Sequence, residues 1–326
     1  KWKYSTTAND TLRQSTITSS TKKYSAAGSY TVTLNTTTNR GCKDTISKVV
    51  IVNPQASLSF TLNADSQCLK GNSFTTSNTS SISSGSISSY KWNYGDGYTT
   101  TGTTATHSYA NKGTYTITLY STSNNGCMDT VRRNAGVWPQ AQPWYGIVGD
   151  TQQCNGHNQY TFNDSSKVSP GSISSYGWIF GDGGTASTKN SSHSYSAQGT
   201  YGVKHTTITN RGCKDTAVRN VKILPKSNIS YSLPLGSDSQ CLKGNNFSFT
   251  NGSSISSGSI TSYKWDFGDG SSPVTAQNTT HTYATKGVYK VKLMTVNSFG
   301  CYDTLEKQIK VQPQSTPKYT INNDSQ

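Results

Sequence analysis

The chain has 326 residues and a net charge of +14, with hydrophobic residues at 31% and charged residues at 13%. That is too little apolar material for one core of this size, while 20 Tyr, 8 Phe and 6 Trp are too many aromatics for a solvated coil. No apolar run approaches the ~18 residues of a membrane helix, so several small, polar, β-rich domains are expected.

Read along the chain, apolar and polar residues alternate with period two, the pattern of half-buried strands. Tyr30, Val32 and Leu34 point one way; Tyr115, Ile117 and Leu119 repeat this against Thr114, Thr116 and Thr118, and Tyr289, Val291 and Leu293 repeat it again. No stretch has helical spacing. Gly, Asn, Asp and Ser punctuate the runs about every 8–12 residues.

The runs recur. Cys68, Cys154 and Cys241 are 86 and 87 residues apart, and Cys42, Cys127, Cys213 and Cys301 are 85, 86 and 88 apart. Pro54, Pro139, Pro225 and Pro313, and Trp2, Trp92, Trp178 and Trp265, keep nearly the same period. A tandem array of units of about 86 residues follows. The prolines, which cannot donate to a sheet ladder, mark the joints. Residues 1–53 then form the back half of a unit, 54–138, 139–224 and 225–312 are whole units, and 313–326 open another with a strand over Pro317–Asn322. A chain that starts and stops in mid-unit reads as a segment of a longer array, continued covalently rather than completed by strand donation between molecules. Six or seven short antiparallel strands per unit predict an all-β fold of immunoglobulin-like sandwiches.

The motifs carry a family resemblance. Tyr263-Lys-Trp265-Asp-Phe-Gly-Asp269-Gly270, followed by His281-Thr-Tyr283 and Gly287-Val-Tyr289, resembles a PKD domain. Tyr90-Lys-Trp92 with Asp96, His107, Tyr109 and Tyr115 matches too, as does Trp178 with Asp182, His193, Tyr195 and Tyr201. The first, partial unit departs from the pattern: Trp2-Lys-Tyr-Ser-Thr-Thr lacks the Gly-Asp-Gly turn, and Lys22-Lys23-Tyr24 replaces His-x-Tyr. The Trp is expected at the sandwich centre, against a disulfide. The Gly-Asp-Gly Asp is expected to accept backbone N–H bonds, and the Tyr-x3-Gly-x-Tyr spacing resembles a tyrosine corner, with one phenol bonding back to the backbone.

Each whole unit has one early and one late cysteine. The separations of 59, 59 and 60 predict intradomain disulfides Cys68–Cys127, Cys154–Cys213 and Cys241–Cys301, with Cys42 partnered outside the sequence. Free thiols and zinc are the alternatives, and zinc is disfavoured because no CxxC pair exists. Regular disulfides imply a secreted, extracellular or cell-surface protein.

Nothing in the sequence points to catalysis. Most acids recur because their turns recur, and no paired acids, HExxH or phosphate loop is present. No cofactor or metal is expected: each turn offers one carboxylate where Ca²⁺ wants six to eight oxygens, and His107, His193 and His281 read as hydrogen-bonding the neighbouring turn. The basic residues are dispersed and come with no nucleic-acid motif, so no nucleic-acid partner is expected. Trp138 and Trp144 flank a joint, where packing between domains is favoured over stacking on sugars. Asp-Thr-aliphatic triplets resemble the O-glycosylation site of the Bacteroidota, making Thr11, Thr45, Thr130, Thr216 and Thr304 candidate acceptors. The competing reading is a strand beginning after a turn.

The expected function is a non-enzymatic structural and adhesive array: a stalk, fibre or long adhesin segment similar to large repetitive surface proteins of gliding bacteria. Its expected partners are neighbouring repeats, with surface glycans or further copies beyond them. The alternative is a spacer or substrate-binding array attached to a secreted polysaccharide- or protein-degrading enzyme.

Overall fold

A computed structural model describes residues 1–5, 9–12 and 19–319. Every regular element among them is a strand, and the fold is all-β and immunoglobulin-like. The chain forms two compact units. One comprises Lys1–Gln140, Val168–Ser172 and Thr209–Cys213; the other comprises Ala141–Lys167, Ile173–Ile208 and Lys214–Gln326.

The first four strands are β1 (Trp2–Ser5), β2 (Asn9–Leu12), β3 (Gly28–Thr37) and β4 (Lys43–Val52), and they form one sheet in the order β2-β1-β3-β4. The next eight build a two-sheet sandwich: β5 (Phe60–Leu62), β6 (Ser66–Cys68), β7 (Phe74–Asn78), β8 (Ile87–Asn93), β9 (Thr99–Thr101), β10 (Thr104–His107), β11 (Gly113–Ser123) and β12 (Met128–Trp138). One sheet runs β10-β7-β5 and the other β6-β12-β11-β8-β9. The short β6 lies parallel to the end of β12, placing Cys68 opposite Trp138.

The pattern repeats twice. In the second sandwich, Tyr145–Val148, Tyr160–Asp164 and Ser191–His193 face a sheet built on the long hairpin Gly199–Thr209 and Lys214–Leu224. In the third, Tyr231–Ser232, Phe247–Asn251 and Thr279–His281 face the hairpin Gly287–Asn297 and Tyr302–Gln312.

Alternation does the sorting. Along β11, Ile117 and Leu119 turn inward, and Phe60 and Phe74 meet them from the other sheet. Trp92, Trp178 and Trp265 are fully buried at the three centres, as expected. Each indole N–H also donates to a backbone carbonyl, of Gly102, Thr188 and Ala276, at 2.8–2.9 Å. A buried aromatic ring with its polar edge satisfied suits a core this small.

Residues 313–319 carry no strand, and the rest of the opening strand expected over Pro317–Asn322 lies outside the described residues. Among the described residues no helix is long and apolar enough to cross a membrane.

Candidate functional site: the cross-repeat joints

Two recurrent clusters shape each sandwich. In the first, the Gly-Asp-Gly turn meets the strand carrying the histidine. Asp96, Asp182 and Asp269 each accept a bond from the Nε2 of His107, His193 and His281, at 2.6, 2.7 and 2.7 Å. The other carboxylate oxygen accepts the N–H of Tyr98, Gly184 or Ser271. The bond from histidine to turn is therefore present in all three repeats. The first glycine of each turn is required sterically: at Gly268 (φ +75°) a Cβ would lie 2.6 Å from the Lys290 carbonyl oxygen. Tyr109, Tyr195 and Tyr283 brace the turns by donating to the carbonyls of Tyr94, Phe180 and Phe267. The tyrosine corners also form, with Tyr115, Tyr201 and Tyr289 donating to carbonyls four residues upstream.

Partial burial pushes the three carboxyls up, but the hydrogen bonds outweigh it. Asp96 and Asp182, bonded by His107 and His193, lie below the ordinary carboxylate range. Asp269, bonded by Ser271 and His281, falls to about 2. A depressed folded value means stabilisation that is present above the unfolded value of about 3.9 and lost as pH falls through the folded one. The thermal midpoint of the third sandwich should therefore drop between about pH 4 and pH 2. Calorimetry of Asp269→Asn should show part of that drop removed; an unchanged acid profile would refute the linkage.

The second cluster is buried asparagine. Asn72, Asn158 and Asn245 donate to the carbonyls of Tyr109, Tyr195 and Tyr283 and accept the same residues' N–H. Asparagine reads as an ordinary turn residue, so the sequence reasoning missed it. Its recurrence four residues after Cys68, Cys154 and Cys241 was the available signal.

The cysteines correct the sequence expectation. The structure joins Cys68 to Cys213 and Cys154 to Cys301, with Cα separations of 5.4 and 5.6 Å, and leaves Cys42, Cys127 and Cys241 free. None of the pairs Cys68–Cys127, Cys154–Cys213 or Cys241–Cys301 forms. The reason lies in β12. Cys68 sits opposite Trp138 at one end of that strand, while Cys127 precedes Met128 at the other. Eleven residues of strand separate the two by roughly 36 Å, and a disulfide needs Cα atoms within about 7 Å. The early cysteine of one repeat can instead reach the late cysteine of the next. The central Trp accordingly packs on aromatic and aliphatic side chains, with no disulfide in the core clusters.

Each disulfide sits in a built joint. At the first, the Arg211 guanidinium lies 4.2 Å over the Trp138 ring, and Lys112 Nζ donates to the Ser169 carbonyl. Trp138 is thus a packing residue of the joint, whereas Trp144 remains 58% exposed. At the second, Asn297 donates to the Pro225 carbonyl at 2.9 Å and Ser256 donates to Gln198. Gln198 and Ser256 occupy the repeat positions of Lys112 and Ser169, so the two joints share one plan.

Thr45, Thr130, Thr216 and Thr304 are exposed near the start of the last strand of each repeat. The N–H of each bonds the preceding Asp carboxylate at 2.7–2.9 Å. The side chain of Thr11 lies outside the described residues. Among the described residues no three His, Cys, Asp or Glu side chains gather as a metal set.

The family model for the PKD domain matches residues 57–137, 140–223 and 233–312. The chain belongs to the PKD domain family. The pre-pro-metalloprotease PrtV of Vibrio cholerae is 41% identical over 76 residues, covering 23% of this chain and 8% of that protein. The crystal structure of its PKD1 domain is 36% identical, covering 26% of this chain and 98% of that one with a TM-score of 0.23. The PKD1 domain of Vibrio anguillarum Epp is 29% identical, covering 26% and 96% with a TM-score of 0.24. The matched PKD modules are themselves non-catalytic.

Non-reducing peptide mapping of the oxidised PKD chain should return the linked peptides Cys68–Cys213 and Cys154–Cys301. Recovery of Cys68–Cys127 instead would overturn the joint architecture.

Proposed function

We propose that this chain is a non-enzymatic structural and adhesive array of PKD repeats on the outside of the cell, as part of a stalk, fibre or long surface adhesin. We place its divisions at 1–53, 54–138, 139–224, 225–312 and 313–326. The observation that carries this reading is the pair of cross-repeat disulfides. Such bonds persist in oxidising, extracellular spaces, and joining consecutive repeats serves continuity along an array rather than a reaction at one site. Exposed Thr45, Thr130, Thr216 and Thr304 fit O-glycan acceptors on such a surface, with Thr11 a fifth candidate. Surface glycans and further copies of the chain are the proposed partners beyond the neighbouring repeats.

The PrtV relative supports a second reading, in which the array is a spacer within a secreted hydrolase. Deleting the coding region for 54–312 from the producing organism separates the two. Under the first reading, cells lose attachment to solid surfaces while secreted hydrolysis of protein and polysaccharide is unchanged. Lost hydrolysis with intact attachment would overturn it in favour of the second.

A further inference from the structure

The second joint departs from the repeat pattern at three positions. Asn155 stands where Leu69 and Leu242 follow the early cysteines of the other repeats. Lys226 stands where Gln55, Gln140 and Gln314 follow the other joint prolines, and Ser227 where Ala56 and Ala141 come next at the two earlier ones. All three residues line a cleft of about 620 Å³, a volume in the range of small-ligand sites. The cleft lies wholly within the second compact unit, and Gln198, Asn228 and Ser256 add to its polar wall. The Cys154–Cys301 bridge and the Asn297 bond to the Pro225 carbonyl tie together the two sandwiches that form it. Ser227 is only 3% exposed, and its hydroxyl has no hydrogen-bond partner among the described residues. A serine in place of alanine thus brings a buried polar group with no protein partner, a costly arrangement that an occupant of the cleft would relieve. A serine hydroxyl turns about a single bond among staggered positions, so it can meet an occupant without backbone movement.

We propose that this cleft binds an acidic saccharide, with the carboxylate or sulfate group on Lys226 and the ring hydroxyls on the surrounding amides and serines. Lys226 brings positive charge and donors only, and no Asp or Glu lines the cleft, so the complementary group is an anion. Asn155 and Asn228 each offer an amide with an acceptor oxygen and two donor hydrogens. Ser256 donates to the Gln198 oxygen at 2.9 Å, which leaves the Gln198 amide hydrogens for a ligand. A ligand rich in hydroxyls answers this mixture of donors and acceptors, whereas an apolar one would strand it. No aromatic ring lines the cleft, so a nucleobase would find nothing to stack on. The proposal rests on the reading of surface glycans as partners of the array, and gives that reading a place and a charge.

The test is isothermal titration calorimetry of the full chain with tetragalacturonate, a sulfated galactan tetrasaccharide, neutral maltotetraose and sodium sulfate. At least one acidic oligosaccharide should bind saturably at one site per chain, and the tighter of the two identifies the anionic group. Maltotetraose and sulfate should bind at least about tenfold more weakly. Lys226→Gln and Asn155→Leu introduce residues that the chain already carries at the equivalent positions. They should weaken binding of the acidic oligosaccharide by about tenfold or more and by about fivefold, respectively. Lys264→Gln removes the same charge from an exposed lysine that does not line the cleft, and should leave binding unchanged. No saturable binding, equal binding of maltotetraose or sulfate, or equal losses in Lys226→Gln and Lys264→Gln would overturn the proposal. Recovery of Cys154–Cys301 in each variant shows that the joint has folded. Failure on the purified chain removes the cleft alone, since the array reading falls only to lost hydrolysis with intact attachment in the deletion strain.

Discussion

Trp265→Ala lowers the unfolding free energy of the third sandwich by about 3–5 kcal/mol. The indole is fully buried, packs edge-on to Tyr231 at 5.0 Å between centroids, and donates to the Ala276 carbonyl. Truncation leaves a large void lined by Phe249, Phe267 and Leu293, and strands the Ala276 acceptor. Local collapse refills the void only in part, because the paired backbone within each sheet resists the bending that would bring neighbouring side chains into it. Hydrogen exchange in the full chain measures this directly. Amides of the 287–312 hairpin should lose about two to three and a half orders of magnitude of protection, at tenfold per about 1.4 kcal/mol. Unaltered protection would place the centre of the core elsewhere.

Asp164→Ala has an effect of the same order for a different reason. In the second sandwich His205 occupies the position of Leu119 and Leu293, and Asp164 that of Asn78 and Asn251. The two residues bond at 2.9 Å with side chains only 0% and 2% exposed, and the imidazole stacks on Trp178 at 3.8 Å between centroids. His205 Nδ1 has no partner, so the Asp164 bond is the polar compensation the ring receives. Removing the carboxylate leaves a buried imidazole without its hydrogen-bond partner and should cost about 1–3 kcal/mol. The double change Asp164→Asn with His205→Leu restores the residues of the other two repeats. It should match or exceed the parent's stability, because both halves of the buried bond are replaced together and no polar group is left without its partner. Thermal unfolding of the three proteins checks both statements. A stable Asp164→Ala variant would show that the pair contributes nothing to the core.

These outcomes bear on what was legible beforehand. Strands were legible because Tyr115, Ile117 and Leu119 alternate with threonines, and one face of a sheet must be dry. The Asp–His turn was legible because Asp269 and His281 recur at fixed spacing, and a carboxylate in a glycine turn seeks donors. The cysteine pairing was not legible. In an array of period 86, the late cysteine of the same repeat and that of the next stand at equally regular distances, so periodicity cannot choose between them. The choice is made by the length of the last strand, which carries Cys127 to the far end from Cys68. The Asp164–His205 pair was equally hidden, because each residue looks like an isolated departure from its repeat until the fold brings the two together.

The two disulfides interlock along the sequence: Cys154 lies between Cys68 and Cys213, and Cys213 lies between Cys154 and Cys301. Three bridged covalent routes therefore connect Cys68 with Cys301: two cross one sulfur bridge each, and the third crosses both and runs back through the chain between Cys213 and Cys154. The single-bridge routes hold about 86 to 88 backbone residues and the double-bridge route about 59, rather than about 233, so tension could draw those points only roughly 200 Å apart instead of roughly 790 Å. The bridges share load even when sandwiches open, because most of the intervening chain is slack within closed loops. A protease that cuts one peptide bond anywhere between Cys68 and Cys301 also fails to sever the strand: whichever route is cut, another still carries the pull.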